Sequence, residues 1–210
     1  MKPYPLPEAI DGKEWAVVEG PGCIDTVNRL MLVPLGVGDA DRHVRCHEMA
    51  HAKITPRIAA HKQAAKFGIS MDALQVCEDL RVHRYLSHCH VETSGTVSQE
   101  ESDRLVAGVA SSTRQLALLF VASLHTPDYE RVVASTKRVA PDGVVNAIER
   151  GVGIINRRMS QARNLFRPIG FRNGAAPCAK IFDALFPENG CPGPLQDKVP
   201  LGDLLTGRQT

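Results

Sequence analysis

A run of seventeen residues without glycine or proline, DADRHVRCHEMAHAKIT, begins at Asp39 and is followed directly by Pro56. Asp39 or Asp41 can cap the amino end of a helix, and a proline ends one. We therefore predict a helix of about three to four turns over this run. Any chemistry that the run carries is expected to lie on the surface of a helix.

The pattern His47-Glu48-x-x-His51 lies within this predicted helix. Side chains four residues apart lie on one face of a helix, so the two imidazoles are placed as two ligands of one zinc ion would be. Glu48 lies beside them and can accept a proton from a water molecule that the ion acidifies. The motif thus predicts a zinc-dependent hydrolytic centre with Glu48 as the general base.

A catalytic zinc site needs a third protein ligand and one open position. The spacing used by the metzincin peptidases is excluded, because Ile54 and Arg57 stand where that class has glycine and histidine. A later segment, MDALQVCEDLRVHRYLSH, is also free of glycine and proline and is predicted to form a helix. It supplies Glu78 and Asp79, and either carboxylate is a candidate for the third ligand.

Apolar runs and helix signals outline the rest of the chain. Two short apolar runs, WAVVE at 15–19 and RLMLVPLG at 29–36, predict strands of a small sheet. A capping box formed by Ser98 and Glu101 starts one long helical stretch that reaches residue 124. Further helices are predicted over residues 57–67, 129–138 and 142–162. The expected fold class is α+β, predominantly α, with the sheet near the amino terminus.

Glycine and proline recur every few residues after Phe166, and only CAKIFDALF could form a helix there. We expect one domain over residues 1–166 and an extension over residues 167–210 that packs on the domain or is flexible. This extension is also the expected docking site for any partner protein.

The formal net charge is only +2, which lacks the basic excess of nucleic-acid-binding proteins. The first residues lack the apolar centre of a signal peptide, and the longest apolar run, LALLFVASL at 116–124, is too short to span a bilayer. We therefore expect a cytoplasmic protein that binds neither nucleic acid nor membrane. Its six cysteines include no C-x-x-C pair and are expected to be reduced thiols.

An HExxH helix followed by a glutamate-bearing helix resembles the zincin metallopeptidases of the gluzincin type. The segments CHEMAHAKIT and LQVCEDLRVHRYL are also similar to the HExxH and LEDxRxE pair in metallopeptidase-like regions of cobalt-chelatase-like and phage-encoded proteins. The resemblance covers about residues 40–90. It implies a zincin-like domain that cleaves protein or peptide substrates, with zinc bound by His47, His51 and Glu78 and with Glu48 as the base.

Val82 departs from this pattern, because many gluzincins place an aspartate there to hold a ligand histidine. Asp79 is the available substitute for that task. Arg81, His83 and Tyr85 follow on the same predicted helix and are candidates to donate a hydrogen bond to the substrate carbonyl as it gains negative charge. The alternative function is a structural or regulatory protein that retains a zinc site and acts by binding a partner.

Overall fold

A computed structural model of the chain describes residues 9–10, 12–91, 95, 97–162 and 169–188. Over these residues it contains five short strands and eight helices. The strands are β1 (Ala9–Ile10), β2 (Lys13–Glu14), β3 (Ala16–Glu19), β4 (Cys23–Asp25) and β5 (Leu30–Val33). The helices are α1 (Asp39–Ile54), α2 (Ala60–Phe67), α3 (Met71–His88), α4 (Gln99–Val109), α5 (Thr113–Ser123), α6 (Asp128–Val139), α7 (Asp142–Gln161) and α8 (Ala175–Leu185). The predicted class, α+β and mostly helical, is confirmed.

The strands form two small sheets at the amino-terminal end of the described chain. β1 and β2 pair as an antiparallel hairpin. In the second sheet, β5 lies in the centre, parallel to β3 and antiparallel to β4. The order β3-β5-β4 leaves β4 at one edge of the sheet.

Helix α1 lies between this sheet and α3. Trp15, Met31 and Val33 of the sheet region form a buried cluster with Ala52 of α1. Ala50, on another side of α1, forms a second cluster with buried residues of α3. Apolar contacts on two sides fix the rotation of α1 about its axis, and with it the direction in which its histidines point.

The main core surrounds α5, in which nine of eleven residues are buried. Its apolar partners come from α2, α3, α4, α6, α7 and α8. Cys77 of α3 and Cys178 of α8 are part of it, and burial raises the pKa of both thiols, that of Cys178 to about 11. No helix in the described ranges is both long enough and apolar enough to cross a bilayer.

The long helix predicted from Ser98 to residue 124 is wrong, because the structure has two helices, α4 and α5, in its place. The chain turns at residues 110–112, and the side chain of Ser112 accepts a hydrogen bond from the backbone of Gln115 to start α5. The capping box of Ser98 and Glu101 is confirmed at the start of α4. A second cap inside an apolar stretch was the signal for the break.

Residues 169–188 of the predicted extension include α8, which packs into the main core. Arg114 of α5 ties α8 to α3, since its guanidinium donates to Asp72 at 2.8 Å and to Asp183 at 2.8 Å. Ser70, which caps α3 as predicted, donates to Asp183 at 2.6 Å. The rest of the extension, from residue 189, lies outside the described residues.

The Asp72–Arg114 ion pair predicts an acid-labile contribution to stability. Burial favours the neutral acid, but the hydrogen bonds and the positive charge of Arg114 outweigh it and lower the pKa of Asp72 to about 2. Because the folded pKa lies below the unfolded one, the stabilisation is complete above pH ~4 and is lost as the pH falls towards ~2. We expect Asp72→Asn to remove it, on the order of 2 kcal/mol at neutral pH.

Urea unfolding of the two proteins between pH 7 and pH 2 measures this difference. The free energies of unfolding of the wild type and of Asp72→Asn should converge as the pH falls from ~4 to ~2. A constant gap down to pH 2 would contradict the assignment to Asp72.

Candidate metal centre

Helices α1 and α3 run antiparallel and bring three potential metal ligands together. His51 Nε2 lies 3.0 Å from His47 Nε2 and 3.1 Å from Asp79 Oδ1. His47 Nε2 lies 3.6 Å from the same oxygen. The three atoms form a compact triangle between the helices, and they are the one such group of three or more potential ligands within the described residues.

The size of this triangle fits a metal ion. Bonds of about 2.0–2.1 Å at tetrahedral angles place neighbouring ligand atoms about 3.3–3.4 Å apart. The observed separations of 3.0, 3.1 and 3.6 Å bracket that value. Three lone-pair atoms this close repel one another unless a cation or a shared proton lies between them. The donor set, two imidazoles and a carboxylate, suits zinc and other divalent transition metals.

The three groups are a partly buried carboxylate and the two imidazoles that it contacts. Burial favours neutral Asp79, but its hydrogen bonds with His47 and His51 outweigh this and lower the pKa of Asp79 below its usual range. Burial also disfavours a charged His51 ring, whereas the bond to Asp79 favours it and raises the pKa of His51 overall. Positive charge is therefore stabilised at this point, whether a proton or a metal supplies it.

Glu78, the ligand implied by the resemblance, does not join this group, and Asp79 takes its place. Consecutive residues of a helix point about 100° apart, so only one of the two carboxylates can face the histidines. Glu78 turns instead towards Arg81, whose Nε donates to it at 2.7 Å, and towards Thr55, whose hydroxyl donates to it at 2.6 Å. Asp79, predicted as the alternative ligand, is the residue that reaches the two histidines.

Glu48 lies on the wall of the same cavity, close to the triad. Its side chain is buried, and burial raises the pKa of its carboxyl group although His47 and His51 oppose the shift. Gly22, in the turn before β4, passes close by, since a Cβ atom built on it would lie 3.7 Å from Glu48 Oε1. A carboxylate that shares a cavity with the triad is a candidate proton acceptor for a molecule bound there.

The cavity has a volume of about 610 Å³. It is bounded by residues 21–28 around β4, by α1 and α3, and by the end of α5 with the start of α6. No lysine or arginine is among its lining residues in the described part of the chain. Five carboxylate side chains line it: Asp25, Glu48, Glu78, Asp79 and Asp128. The volume is sufficient for one or two side chains of a bound molecule.

Two more histidines, His43 and His83, extend the group towards α6. The ring centroid of His83 lies 4.9 Å from that of His47 and 6.1 Å from that of His43. Burial lowers the pKa of His43 to about 4 and that of His83 well below its ordinary value, so both rings are neutral at neutral pH. Within the described residues, the Nδ1 atom of neither ring has a hydrogen-bond partner.

His83 was predicted as a site residue, whereas His43 was not. The signal for His43 was present in the sequence, because it precedes His47 by four residues, as His47 precedes His51. Arg81 and Tyr85, the other predicted carbonyl-binding candidates, are absent from the cavity lining. Arg81 is buried against Glu78, and Tyr85 packs in the apolar cluster between α1 and α3.

No family model matches the chain, and comparison with curated proteins and with solved structures finds no similar protein. The resemblance of the two motifs to zincins therefore rests on those motifs alone.

Gly22 is predicted to be essential for the position of the loop before β4. Its φ of +123° is a conformation that side chains disfavour, and an added Cβ would lie 2.6 Å from Val44 Cγ1 on α1. We expect Gly22→Ala to lower the free energy of unfolding by more than about 2 kcal/mol, from strain plus overlap. Gly12→Ala is the matched control, because Gly12 also has a positive φ but nothing lies within 4 Å of its added Cβ.

Urea unfolding of both variants compares strain alone with strain plus overlap. Equal losses for the two would show that Gly22 is not required for close approach to α1.

Asp79→Asn is expected to weaken the binding of Zn²⁺ or Co²⁺ at least ~100-fold. Losing a group that only hydrogen-bonds a ligand costs ~10–100-fold in affinity, and losing a ligand itself should cost more. Calorimetric titration with a competing chelator measures the affinity. Asp103→Asn, the same change on an exposed carboxylate of α4, serves as the control. Unchanged affinity in Asp79→Asn would remove Asp79 from the site.

Proposed function

We propose that the chain is a zinc-dependent peptidase. The proposal is carried by one observation, the buried carboxylate of Glu48 on the wall of a cavity that also holds the triad of His47, His51 and Asp79. A ligand triangle with a neighbouring proton acceptor is the arrangement that metal-assisted hydrolysis requires. The HExxH sequence and the nitrogen-rich donor set favour zinc among the divalent metals.

His47, His51 and Asp79 would hold the ion. When bound, zinc makes water more acidic and polarises a carbonyl group. Glu48 accepts the proton of the attacking water and delivers it to the nitrogen of the leaving amine. Its raised pKa suits the first half of that transfer, because a more basic carboxylate accepts a proton from water more readily.

His83 and His43 lie near His47 in the lining of the same cavity, and we propose that they act on the carbonyl oxygen of the substrate. A neutral imidazole carries one N–H, which can donate to an oxygen as negative charge develops on it. The low pKa of both rings keeps them neutral, so they add no positive charge next to a bound cation. Burial within the cavity strengthens such a hydrogen bond.

The edge strand β4 supplies a means of holding a peptide. It pairs with β5 on one side, and no described strand pairs with it on the other. Residues 23–25 of β4 line the cavity beside the triad. An extended peptide can add to such an edge through backbone hydrogen bonds, leaving alternate side chains to enter the cavity. Extended segments of proteins or peptides are therefore the substrate class that we propose.

Glu48→Gln is expected to bind zinc with nearly unchanged affinity and to lose peptide cleavage by a factor of ~10²–10⁴, since Gln cannot accept the proton. A peptide library digested by the zinc-loaded protein, with products read by mass spectrometry, measures cleavage. Glu100→Gln, on the exposed face of α4, is the matched control and should cleave as the wild type does.

Full cleavage by Glu48→Gln would contradict the mechanism. Tight zinc binding by the wild-type protein without cleavage of any library member would instead support the alternative, a structural or regulatory protein with a zinc site.

A further inference from the structure

We propose that Thr55, Glu78 and Arg81 form a hydrogen-bonded chain that fixes His51 in the tautomer able to bind metal through Nε2. The inference rests on the proposed metal site but not on peptide hydrolysis. None of the three is a ligand, and each acts through the next, so they are positioning residues.

The contacts, together with the number of protons that each group carries, fix the direction of the hydrogen bonds from His51 to Glu78. His51 Nδ1 lies 2.9 Å from Thr55 Oγ1, and Thr55 Oγ1 lies 2.6 Å from Glu78 Oε1. An ionised carboxylate can only accept, so the single hydroxyl proton of Thr55 is donated to Glu78. Towards His51 the same hydroxyl oxygen can then only accept. In the neutral, metal-binding form of His51 the proton is therefore on Nδ1, which leaves the lone pair of Nε2 for an ion shared with His47 and Asp79.

Arg81 forms a buried ion pair with Glu78 and holds its carboxylate in place. Its guanidinium is almost fully buried and donates to both carboxylate oxygens, from Nε to Oε2 at 2.7 Å and from Nη2 to Oε1. It also donates to the backbone carbonyl of Ile169 at 2.7 Å and to that of Ile54 at 3.1 Å. Such a bidentate pair within a fixed set of acceptors leaves Glu78 little freedom to rotate.

The hydrogen-bonded chain of Thr55, Glu78 and Arg81 does the task for which many gluzincins use an aspartate at the position of Val82, which is to hold a ligand histidine. Val82 is completely buried in the apolar cluster between α1 and α3. Instead, the hydroxyl oxygen of Thr55, the residue directly after α1, accepts the hydrogen bond from Nδ1 of His51. An outer partner of this kind fixes the orientation of a ligand histidine and raises its affinity for the metal.

The two histidine ligands are supported unequally. The Nδ1 atom of His47 is buried and has no hydrogen-bond partner among the described residues. His51 alone is therefore oriented by a built chain of protein groups. Removing one hydroxyl from that chain should weaken metal binding, although the hydroxyl never contacts the ion.

Thr55→Val tests this inference because it removes the hydroxyl and keeps the branched shape. We expect the dissociation constant for Zn²⁺ or Co²⁺ to rise ~10–100-fold, and Thr55→Ser to restore it. The melting temperature of the metal-free variant and the Co²⁺ absorption spectrum separate an effect on the site from a loss of folding. Thr26→Val is the matched control, since Thr26 also lines the cavity but donates to the carbonyl of Pro56.

A second measurement uses the unaltered protein. Long-range ¹H–¹⁵N correlation spectra of the zinc-loaded chain, with His51 assigned through His51→Gln, report which ring nitrogen carries the proton. A proton on Nδ1 supports the proposed hydrogen-bonded chain, whereas metal on Nδ1 with a proton on Nε2 overturns the proposal. Wild-type affinity in Thr55→Val overturns it too and leaves the metal site standing. Failure of the wild-type chain to bind metal overturns both, and failure to cleave peptides affects the proposed peptidase only.

Discussion

The packing of α1 against α3 is the contact on which the site depends. The two helices are antiparallel, so that His51 meets Asp79 and His43 meets His83. The buried Glu78–Arg81 pair fastens the carboxyl end of α1 to α3 and to the segment before α8 through backbone carbonyls. Losing one partner of such a pair leaves a buried charge and typically costs about 3–5 kcal/mol. The pair therefore links the carboxyl end of α1 to α3, and through Thr55 it is the group that we propose orients His51.

The candidate site lies against the main apolar core, and α3 and the end of α5 contribute to both. The largest cluster of buried apolar side chains surrounds α5 and contains none of the triad. The region between the sheet, α1 and α3 buries histidines and carboxylates instead, and the Nδ1 atoms of His43, His47 and His83 have no hydrogen-bond partner among the described residues. Burying polar groups without partners costs free energy, so the apolar core must offset that cost. A cavity rich in such groups beside a compact core is typical of a site kept for binding or catalysis.

Local signals in the sequence were sufficient for most of the helices. The caps at Ser70 and Ser98 and the stop at Gly68 lie where they were expected, because each acts through hydrogen bonds or backbone angles within a few residues. The break between α4 and α5 was missed, since a continuous apolar pattern concealed the cap at Ser112. Local signals could not predict the parallel pairing of β3 with β5 or the close approach of Gly22 to Val44, because both contacts join residues distant in sequence.

The sequence by itself determined that His47 and His51 share a helix face with Glu48 beside them, because helical geometry fixes the relation of residues so close together. The tertiary structure decided which carboxylate joins them. Glu78 and Asp79 are neighbours with the same functional group, and only the rotation of α3 against α1 places Asp79 at the histidines and Glu78 at Thr55. That rotation is set by apolar packing over the whole of both helices, which no short motif encodes.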